Sequence, residues 1–275
     1  MDIGQYNELR INRMVDFGAY LIDNDTHEVL LPKRYLTPEM KVGDTIRVFV
    51  YNDSENRPVA TTEEPRAVVG DFALMRVKAV NKVGAFLDWG LVAKDLLVPF
   101  SEQRVDMKVG RSYIVHVYLD EASKRIVASA KLAKFLNKTE PDYYHREKVE
   151  VLVVQASDLG YRVIINNAHW GQIYQNETYQ NVNVGDRFTA FVKQVRPDGK
   201  IDVTLGQIEK MRVDDLADRI LHHLQDHNGE MPLTDKSTPE EINKVFTCSK
   251  KDFKKALGHL YKQQKITLGD TVKLV

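Results

Sequence analysis

The chain contains a single cysteine, Cys248, so it cannot form an internal disulfide bond. No apolar run approaches the roughly 18 residues that a membrane-spanning helix needs, and we therefore expect no membrane partner. The first residues, Met1-Asp2-Ile3-Gly4, lack the basic and apolar regions of a signal peptide. The sequence therefore predicts a cytoplasmic protein with no disulfide partner.

An excess of charge of one sign is also lacking, because 39 Lys and Arg residues balance 39 Asp and Glu residues. The distribution is uneven, however. Residues 1–66 hold 8 basic and 12 acidic residues, whereas residues 67–134 hold 11 basic and 7 acidic residues. Residues 249–265 contain six lysines and one aspartate. If the partner is a nucleic acid, these two basic segments are where phosphate contacts are expected.

Motifs of catalysis and of metal binding are missing as well. His222, His223 and His227 have no third ligand at motif spacing, and the chain has no His-Glu-x-x-His sequence. The segment Asp198-Gly199-Lys200 lacks the second glycine and the hydroxyl of a phosphate-binding loop. Cys248 has no local base or second thiol, which favours a buried or idle thiol. We therefore expect no cofactor, no metal site and no enzymatic activity.

What the sequence does contain is a repeat. The segment Asp16-Phe17-Gly18-Ala19-Tyr20-Leu21 returns as Lys82-Val83-Gly84-Ala85-Phe86-Leu87. At a similar offset, Leu30-Leu31-Pro32 returns as Leu97-Val98-Pro99, and the pair Asp53 and Arg57 returns as Asp120 and Arg125. A third, weaker copy is spread over residues 159–201. Self-similarity at a fixed period indicates three copies of one small module.

The module is built from short β-strands. In the second copy, alternating apolar residues and turn signals predict five strands, at residues 73–80, 85–89, 96–99, 112–119 and 125–129. Five strands of this spacing are typical of the OB-fold, a small closed Greek-key barrel. We expect Gly18 and Gly84 to permit a bulge in the second strand. Glycines before the fourth strand predict turns with positive φ, at Gly43, Gly110 and Gly185.

After Leu205 the apolar period changes from two residues to 3.6, which predicts helices. A first helix ends near Asn228-Gly229. Thr238-Pro239-Glu240-Glu241 has the form of a capping box and opens a second helix, and Ser249 caps a third. Two short strands then surround Gly269-Asp270. This order is that of a winged helix-turn-helix, and the predicted domains are residues 1–66, 67–134, 135–206 and 207–275.

The repeated words, Phe-Gly-Ala-Tyr at Phe17 and Val-Gly-Ala-Phe at Val83, resemble those of the S1 domain, an RNA-binding OB-fold. Three such modules followed by a winged helix resemble one bacterial family, the conserved virulence factor B proteins, which is described as RNA-binding and regulatory. The resemblance implies a mainly β protein with an α+β C-terminal domain. Three tandem S1-like OB-fold barrels would precede a winged helix-turn-helix, and the partner would be RNA.

The resemblance also implies an RNA-binding surface in each copy. By position in the S1 motif, the implied residues are Phe17, Tyr20, Asp53 and Arg57 in the first copy, Phe86, Asp120 and Arg125 in the second, and Tyr174 and Lys200 in the third. In S1 domains, bases stack on the rings and arginine meets a phosphate or a base edge. The copies also depart from the motif, because Pro32 and Pro99 stand where a histidine is expected and Val83 replaces a ring.

Each of these residues has a second interpretation. A ring on a short strand can belong to the barrel core instead of to an RNA surface. The third copy has Leu159 and Arg162 at its two ring positions, which favours a structural module. Tyr161 is displaced by one residue, so it is expected to face the other side of its strand.

A lysine stripe lies opposite the apolar side of the last predicted helix, at Lys251, Lys254, Lys255 and Lys262. In a winged helix, this helix contacts nucleic acid, although a solvated helix face has the same composition. The function that fits best is a non-catalytic regulator that holds single-stranded RNA and acts after transcription. Two alternatives stay open: a DNA-binding transcription regulator led by the winged helix, and an accessory subunit of a ribonuclease or the ribosome.

Overall fold

The structure, a computed structural model, describes residues 1–24, 27–175, 182–205 and 208–275, with side chains of the first helix described from residue 213 onward. The chain divides into two compact units, Met1–Thr204 and Leu205–Val275. Three five-stranded barrels follow one another in the first unit, and helices with a small sheet form the second. No helix among the described residues has the length and apolar character to cross a membrane.

The first barrel has the strand order of an OB-fold. Its strands are β1 (Tyr6–Val15), β2 (Gly18–Ile22), β3 (Glu28–Pro32), β4 (Thr45–Asn52) and β5 (Pro58–Thr61). They close in the order β1-β2-β3-β5-β4, and all neighbours are antiparallel except β3 and β5, where Leu30 lies beside Val59. Alternate residues, among them Leu9, Ile11 and Leu21, fill the inside of the barrel.

The second and third barrels repeat this arrangement. The second comprises β6 (Phe72–Asn81), β7 (Gly84–Leu87), β8 (Leu96–Pro99), β9 (Ser112–Leu119) and β10 (Ile126–Ser129). The third comprises β11 (Lys148–Ser157), β12 (Gly160–Ile165), β13 (His169–Tyr174), β14 (Arg187–Val195) and β15 (Ile201–Thr204). The third is closed, and the second is nearly closed, with the strand order β10-β9-β6-β7-β8 and with β8 lying beside β10. The strands predicted for the second copy are confirmed to within two residues.

The predicted bulge in the second strand of each module was wrong. The register shifts lie in the first strand instead, between Ile11 and Arg13 in β1 and at the matching points of β6 and β11. Gly18 has a different role, because a Cβ atom there would come within 2.2 Å of the carbonyl oxygen of Leu31. Glycine is therefore required by the close approach of the second and third strands.

The turn before each fourth strand is as predicted, because Gly43, Gly110 and Gly185 have φ values of 99°, 83° and 97°. Each of these glycines donates its amide hydrogen bond to the first strand at the bulge, and in the first barrel Gly43 N lies 2.9 Å from Ile11 O. The turn and the bulge thus form one unit, which curves the first strand around the barrel.

The second unit has the predicted elements of a winged helix. They are α1 (Ile208–Asp226), β16 (Glu230–Met231), α2 (Pro239–Phe246), α3 (Lys250–Lys262), β17 (Ile266–Leu268) and β18 (Val272–Leu274). The capping box is present, since Thr238 Oγ1 accepts from Glu241 N at 3.3 Å and Glu241 Oε2 accepts from Thr238 N at 2.8 Å. The strands pair in the order β16-β18-β17.

Candidate nucleic-acid interface

Two aromatic rings stand on the outside of the first barrel. Tyr20 points outward from β2 because its neighbours Ala19 and Leu21 are fully buried in the core. Phe17, in the turn before β2, is 57% exposed. The two rings meet edge to face, with centroids 6.4 Å apart. These rings are therefore not needed for the core, and they form an accessible aromatic surface.

Arg13 and Glu28 complete this surface, and sequence reasoning missed both. The guanidinium of Arg13 lies 3.9 Å from the centroid of the Tyr20 ring, and its Nη2 lies 2.9 Å from Glu28 Oε2. Hydrogen bonds from Arg13 and Asn12 lower the pKa of Glu28. Arg13 reaches Tyr20 because the bulge in β1 places the two residues side by side. A cation that is paired with Glu28 thus lies over the Tyr20 ring.

In the first barrel, Asp53 and Arg57 are paired with each other. Arg57 Nη2 lies 2.8 Å from Asp53 Oδ2, and its Nη1 lies 2.8 Å from Glu55 Oε2. Burial acts to raise the pKa of Asp53, but the hydrogen bonds from Arg57 and Glu55 outweigh it, and the pKa is lowered. Two carboxylates therefore neutralise Arg57, and a phosphate would have to compete with them.

In the second barrel, the side chains of the corresponding residues, Asp120 and Arg125, are not paired with each other, although Asp120 N donates to Arg125 O at 2.8 Å. Asp120 accepts hydrogen bonds from Ser123 N at 2.8 Å and Ser123 Oγ at 2.6 Å. Arg125 is exposed, and among the described residues no carboxylate lies within 4 Å of it. Phe86 is half-buried and points outward between the buried Ala85 and Leu87, at the position that Tyr20 holds in the first barrel.

In the third barrel, Tyr174 belongs to a polar network. Its hydroxyl accepts a hydrogen bond from Arg196, whose Nη2 also lies 2.8 Å from Oδ1 of the buried Asp202. The ring is half-buried on β13. This network ties Tyr174 to the end of the barrel, and its part in RNA binding stays a prediction.

Lys200 is placed as the sequence indicates but has an acidic partner. It occupies the position of Arg57, since Arg196 N donates to Lys200 O at 2.8 Å as Asp53 N donates to Arg57 O at 2.9 Å. Its ammonium lies 2.6 Å from the carboxylate of Asp198. Arg196 thus stands where the other copies have an aspartate, so both of these hairpin positions are basic in the third barrel.

The predicted lysine stripe lies on the outer side of α3. Lys251, Lys254, Lys255 and Lys262 are exposed, whereas Phe253, Leu257 and Leu260 are buried in the core of this unit. Lys254 lies 3.8 Å from Asp235. The predicted division of the helix into apolar and basic sides is confirmed, and nucleic-acid contact by the lysines stays a prediction.

The histidines near the end of α1 and the single cysteine were the other candidate functional residues. His223 and His227 stack on each other with ring centroids 4.1 Å apart. Across the described part of the chain, no three His, Cys, Asp or Glu side chains are grouped so that they could hold a metal. Cys248 is half-buried, and burial raises the pKa of its thiol.

Two family models agree with this architecture. The family model of the S1 domain matches residues 3–63, and the model of the CvfB-like winged helix domain matches residues 218–273. A crystal structure of a multidomain protein with nucleic acid binding domains from Streptococcus pneumoniae is 25% identical. The alignment covers 99% of this chain and 98% of that one, with a TM-score of 0.41.

Relatives of similar length are known from two bacteria. The uncharacterized protein YitL of Bacillus subtilis is 29% identical over 274 residues, which are 96% of this chain and 90% of YitL. Conserved virulence factor B of Staphylococcus aureus strain N315 is 24% identical over 84% of this chain and 79% of its own length. The chain is therefore a homologue of the conserved virulence factor B proteins, with an S1 domain near its start and a CvfB-like winged helix domain near its end.

Proposed function

We propose that this protein is a non-catalytic RNA-binding regulator that holds single-stranded RNA by base stacking and phosphate contacts. The observation that carries the proposal is the pair of outward rings, Phe17 and Tyr20, with the Arg13 guanidinium over the Tyr20 ring. Stacking of a base on an aromatic side chain contributes about 1–3 kcal/mol. The S1 and winged helix domains support a nucleic acid as the partner.

Single strands fit this surface better than duplexes do. In an A-form duplex the bases are stacked on each other, so flat rings on a strand can reach only unpaired bases. The first barrel is also acidic, with 8 basic and 12 acidic residues in segment 1–66. General attraction to phosphate cannot therefore explain binding there, and the rings must supply most of the free energy. The basic second barrel would supply the phosphate contacts.

A titration of one labelled RNA oligonucleotide, with and without its complement, tests the proposal. We expect the full-length protein to bind the single strand at least tenfold more tightly than the duplex. The double variant Phe17→Ala/Tyr20→Ala is expected to weaken single-strand binding about 30-fold, since two stacking contacts are lost. Tyr144→Ala is the control, because this ring is 72% exposed but lies outside the surface. Equal affinity of the wild-type protein for both forms would contradict stacking.

The proposed regulatory role rests on the proposed binding of single-stranded RNA. A protein that occupies unpaired RNA can change how fast that RNA is translated or degraded, which places its action after transcription. A strain that carries Phe17→Ala/Tyr20→Ala should alter the half-lives of the transcripts that cross-link to the wild-type protein. Unchanged half-lives, with altered promoter activity instead, would favour the winged helix as a DNA-binding regulator.

A further inference from the structure

A cleft of about 690 Å³ lies where the second and third barrels meet. The second barrel contributes Arg104, Lys131 and Lys134, and the third contributes Arg162 and Trp170. Among the described residues, no Asp or Glu lines this cleft. Four cations and one large ring therefore surround a single cleft, and sequence reasoning identified none of them as binding residues.

Most of this positive charge is not neutralised by the protein. Lys134 pairs with Glu102 at 2.6 Å. For Arg104, Lys131 and Arg162, no carboxylate lies within 4 Å in the described part of the chain. Burial lowers the pKa of the Arg162 guanidinium, and the charge of Arg104 lowers it further. Two guanidinium groups that repel each other without an acidic partner form a site that an anion would stabilise.

Arg162 is also held in a defined orientation. It lies two residues after Gly160 on β12, as Tyr20 lies two residues after Gly18 on β2. Its guanidinium lies 3.8 Å from the centroid of the Trp170 ring. A guanidinium held flat on a ring can accept a base on its open face and donate hydrogen bonds to phosphate from its edge. The third barrel thus has an arginine at the position where the first barrel has Tyr20 and the second has Phe86, and the ring beside this arginine comes from the next strand.

The walls of the cleft are fixed before any ligand arrives. A buried apolar cluster joins the two barrels and comprises Phe72, Ile114, Leu132, Leu136, Leu152 and Ile164. Asn167 Nδ2 donates to Asp71 Oδ1 at 2.9 Å across the junction, and Arg187 donates to the carbonyl of Phe72. Preorganised walls reduce the ordering cost of binding.

We propose that this cleft binds the backbone of single-stranded RNA, with phosphates at Arg104 and Lys131 and a base stacked on the Arg162–Trp170 pair. This site deepens the proposed function and rests on it. A second groove of about 430 Å³ shares Arg104 and continues past Tyr113 and Val154, so the strand has a path beyond the cleft. The third barrel is then a binding module with its own chemistry and not a spacer.

The first arm of the test measures the affinity of the full-length protein for a single-stranded RNA oligonucleotide at several salt concentrations. Arg104→Ala/Arg162→Ala should weaken binding about tenfold, because one phosphate contact and one stacking partner are lost. The salt slope should fall by about 0.7, the contribution of the single phosphate contact at Arg104. Arg10→Ala/Arg47→Ala is the matched control, because it removes two exposed arginines of the first barrel that line neither the cleft nor the second groove. The control should stay within about twofold of the wild type.

The second arm uses tryptophan fluorescence. The chain has two tryptophans, and Trp89 is fully buried with its Nε1 donating to Ala67 O at 2.8 Å. Quenching on addition of RNA should therefore come from Trp170 and should disappear in Trp170→Phe. Inorganic pyrophosphate is the comparison probe, and it should quench only at much higher concentration than RNA.

The outcomes separate the two proposals. If Arg104→Ala/Arg162→Ala binds RNA like its control while Phe17→Ala/Tyr20→Ala is weak, the cleft proposal is overturned and the proposed function stands. If pyrophosphate quenches Trp170 as tightly as RNA does, the cleft is a small-anion site and the RNA assignment is overturned. If the wild-type protein binds no single-stranded RNA, both proposals fail. Loss of affinity, a shallower slope and RNA quenching confined to Trp170 would together support the cleft.

Discussion

The first and second barrels meet at one junction, and the second and third barrels meet at another. Both junctions are formed in the same way but differ in whether a ligand could enter them. In both, the fourth strand of the preceding barrel is buried on both faces. Phe49 and Tyr51 of β4 pack against Trp89 of the second barrel, with centroids 5.5 and 6.4 Å away. Ile114 and His116 of β9 face the junction with the third barrel in the same way. The first junction is an apolar seam, whereas the second contains the cationic cleft.

The charges around the two junctions differ as well. At the first junction, Lys94 Nζ donates to Asp53 O at 3.3 Å, and Asn52 Nδ2 donates to Lys124 O at 3.0 Å. Burial lowers the pKa of Lys94, and the nearby charge of Arg125 lowers it further. At the first junction one cation, Lys94, thus helps to hold the two barrels together. At the second junction, Arg104, Lys131 and Arg162 line an open cleft, which offers room and charge for a ligand.

The largest expected effect is at the seam. Phe49→Ala should lower the free energy of unfolding by about 3–5 kcal/mol, because a buried ring that fills the space between two barrels is lost. Val92→Ala is the control, since Val92 is 83% exposed, and it should change stability by less than about 0.5 kcal/mol. Urea denaturation measures both variants. A loss below about 1 kcal/mol for Phe49→Ala would show that the seam does not hold the barrels together.

The second junction should respond to pH through His116. This ring is packed against Phe72 and Phe135, and burial lowers its pKa to about 4. The unfolded chain binds a proton at this histidine below about pH 6.5, whereas the folded chain does so only near pH 4. Stability should therefore fall by up to about 3 kcal/mol as the pH drops from 6.5 to 4.

Urea denaturation of the wild-type protein and of His116→Phe across this pH range measures the effect. The variant should lose most of the dependence between pH 6.5 and 4, because the histidine that causes it is absent. The same dependence in both proteins would assign it to other groups.

Arg57 and Arg125 hold matching positions in the last hairpins of the first and second barrels but differ in their acidic partners. Arg125→Ala should weaken binding of single-stranded RNA by about 1.5–3 kcal/mol, since a charged hydrogen bond to the ligand is lost. Arg57→Ala should weaken it less than about fivefold, because Asp53 and Glu55 already neutralise Arg57. Fluorescence anisotropy with one oligonucleotide at fixed salt compares the two. A larger effect of Arg57→Ala would reverse the assignment of phosphate contacts between the barrels.

The smallest effect is expected in the winged helix. Changing Lys251, Lys254 and Lys255 together to Ala should reduce the salt slope of RNA binding by about 1–2 units and leave base preference unchanged. Stability should change by less than about 0.5 kcal/mol, because surface substitutions contribute little to folding. The slope is read from affinities at four or more salt concentrations. If the salt slope of the variant equals that of the wild type, these lysines do not contact RNA, and the barrels alone would bind it.

The local features of this fold could be predicted from the sequence. Strand positions, the glycine turns and the caps at Thr238 and Ser249 depend on neighbours within a few residues, and the structure has them where the sequence indicates. The bulge was misplaced because Gly18 satisfies either a bulge or a close approach of strands. The structure distinguishes the two, because a Cβ atom added at Gly18 would lie only 2.2 Å from Leu31 O.

The candidate site was harder to predict because its parts are distant in sequence. Arg162 occupies a position where the S1 motif has an aromatic residue, so the sequence indicates that the third copy lacks this ring. In the structure, however, Trp170 on the next strand places its ring beside Arg162. The alternation in β9 predicts one buried face, whereas His116 and Ile114 bury the other face against the third barrel. An inter-barrel contact leaves no periodic signal beyond a run of apolar residues, so the cleft could not be located.

The central claim is that bases stack on the outward rings of the barrels. It is tested most directly by ultraviolet cross-linking of one single-stranded RNA oligonucleotide to the full-length protein, with mass-spectrometric mapping of the linked residues. Cross-links are predicted at Phe17, Tyr20 and Trp170, and none at Phe49 or Trp89 in the closed seam. Cross-links confined to residues 208–275, with none at Phe17 or Tyr20, would contradict the account.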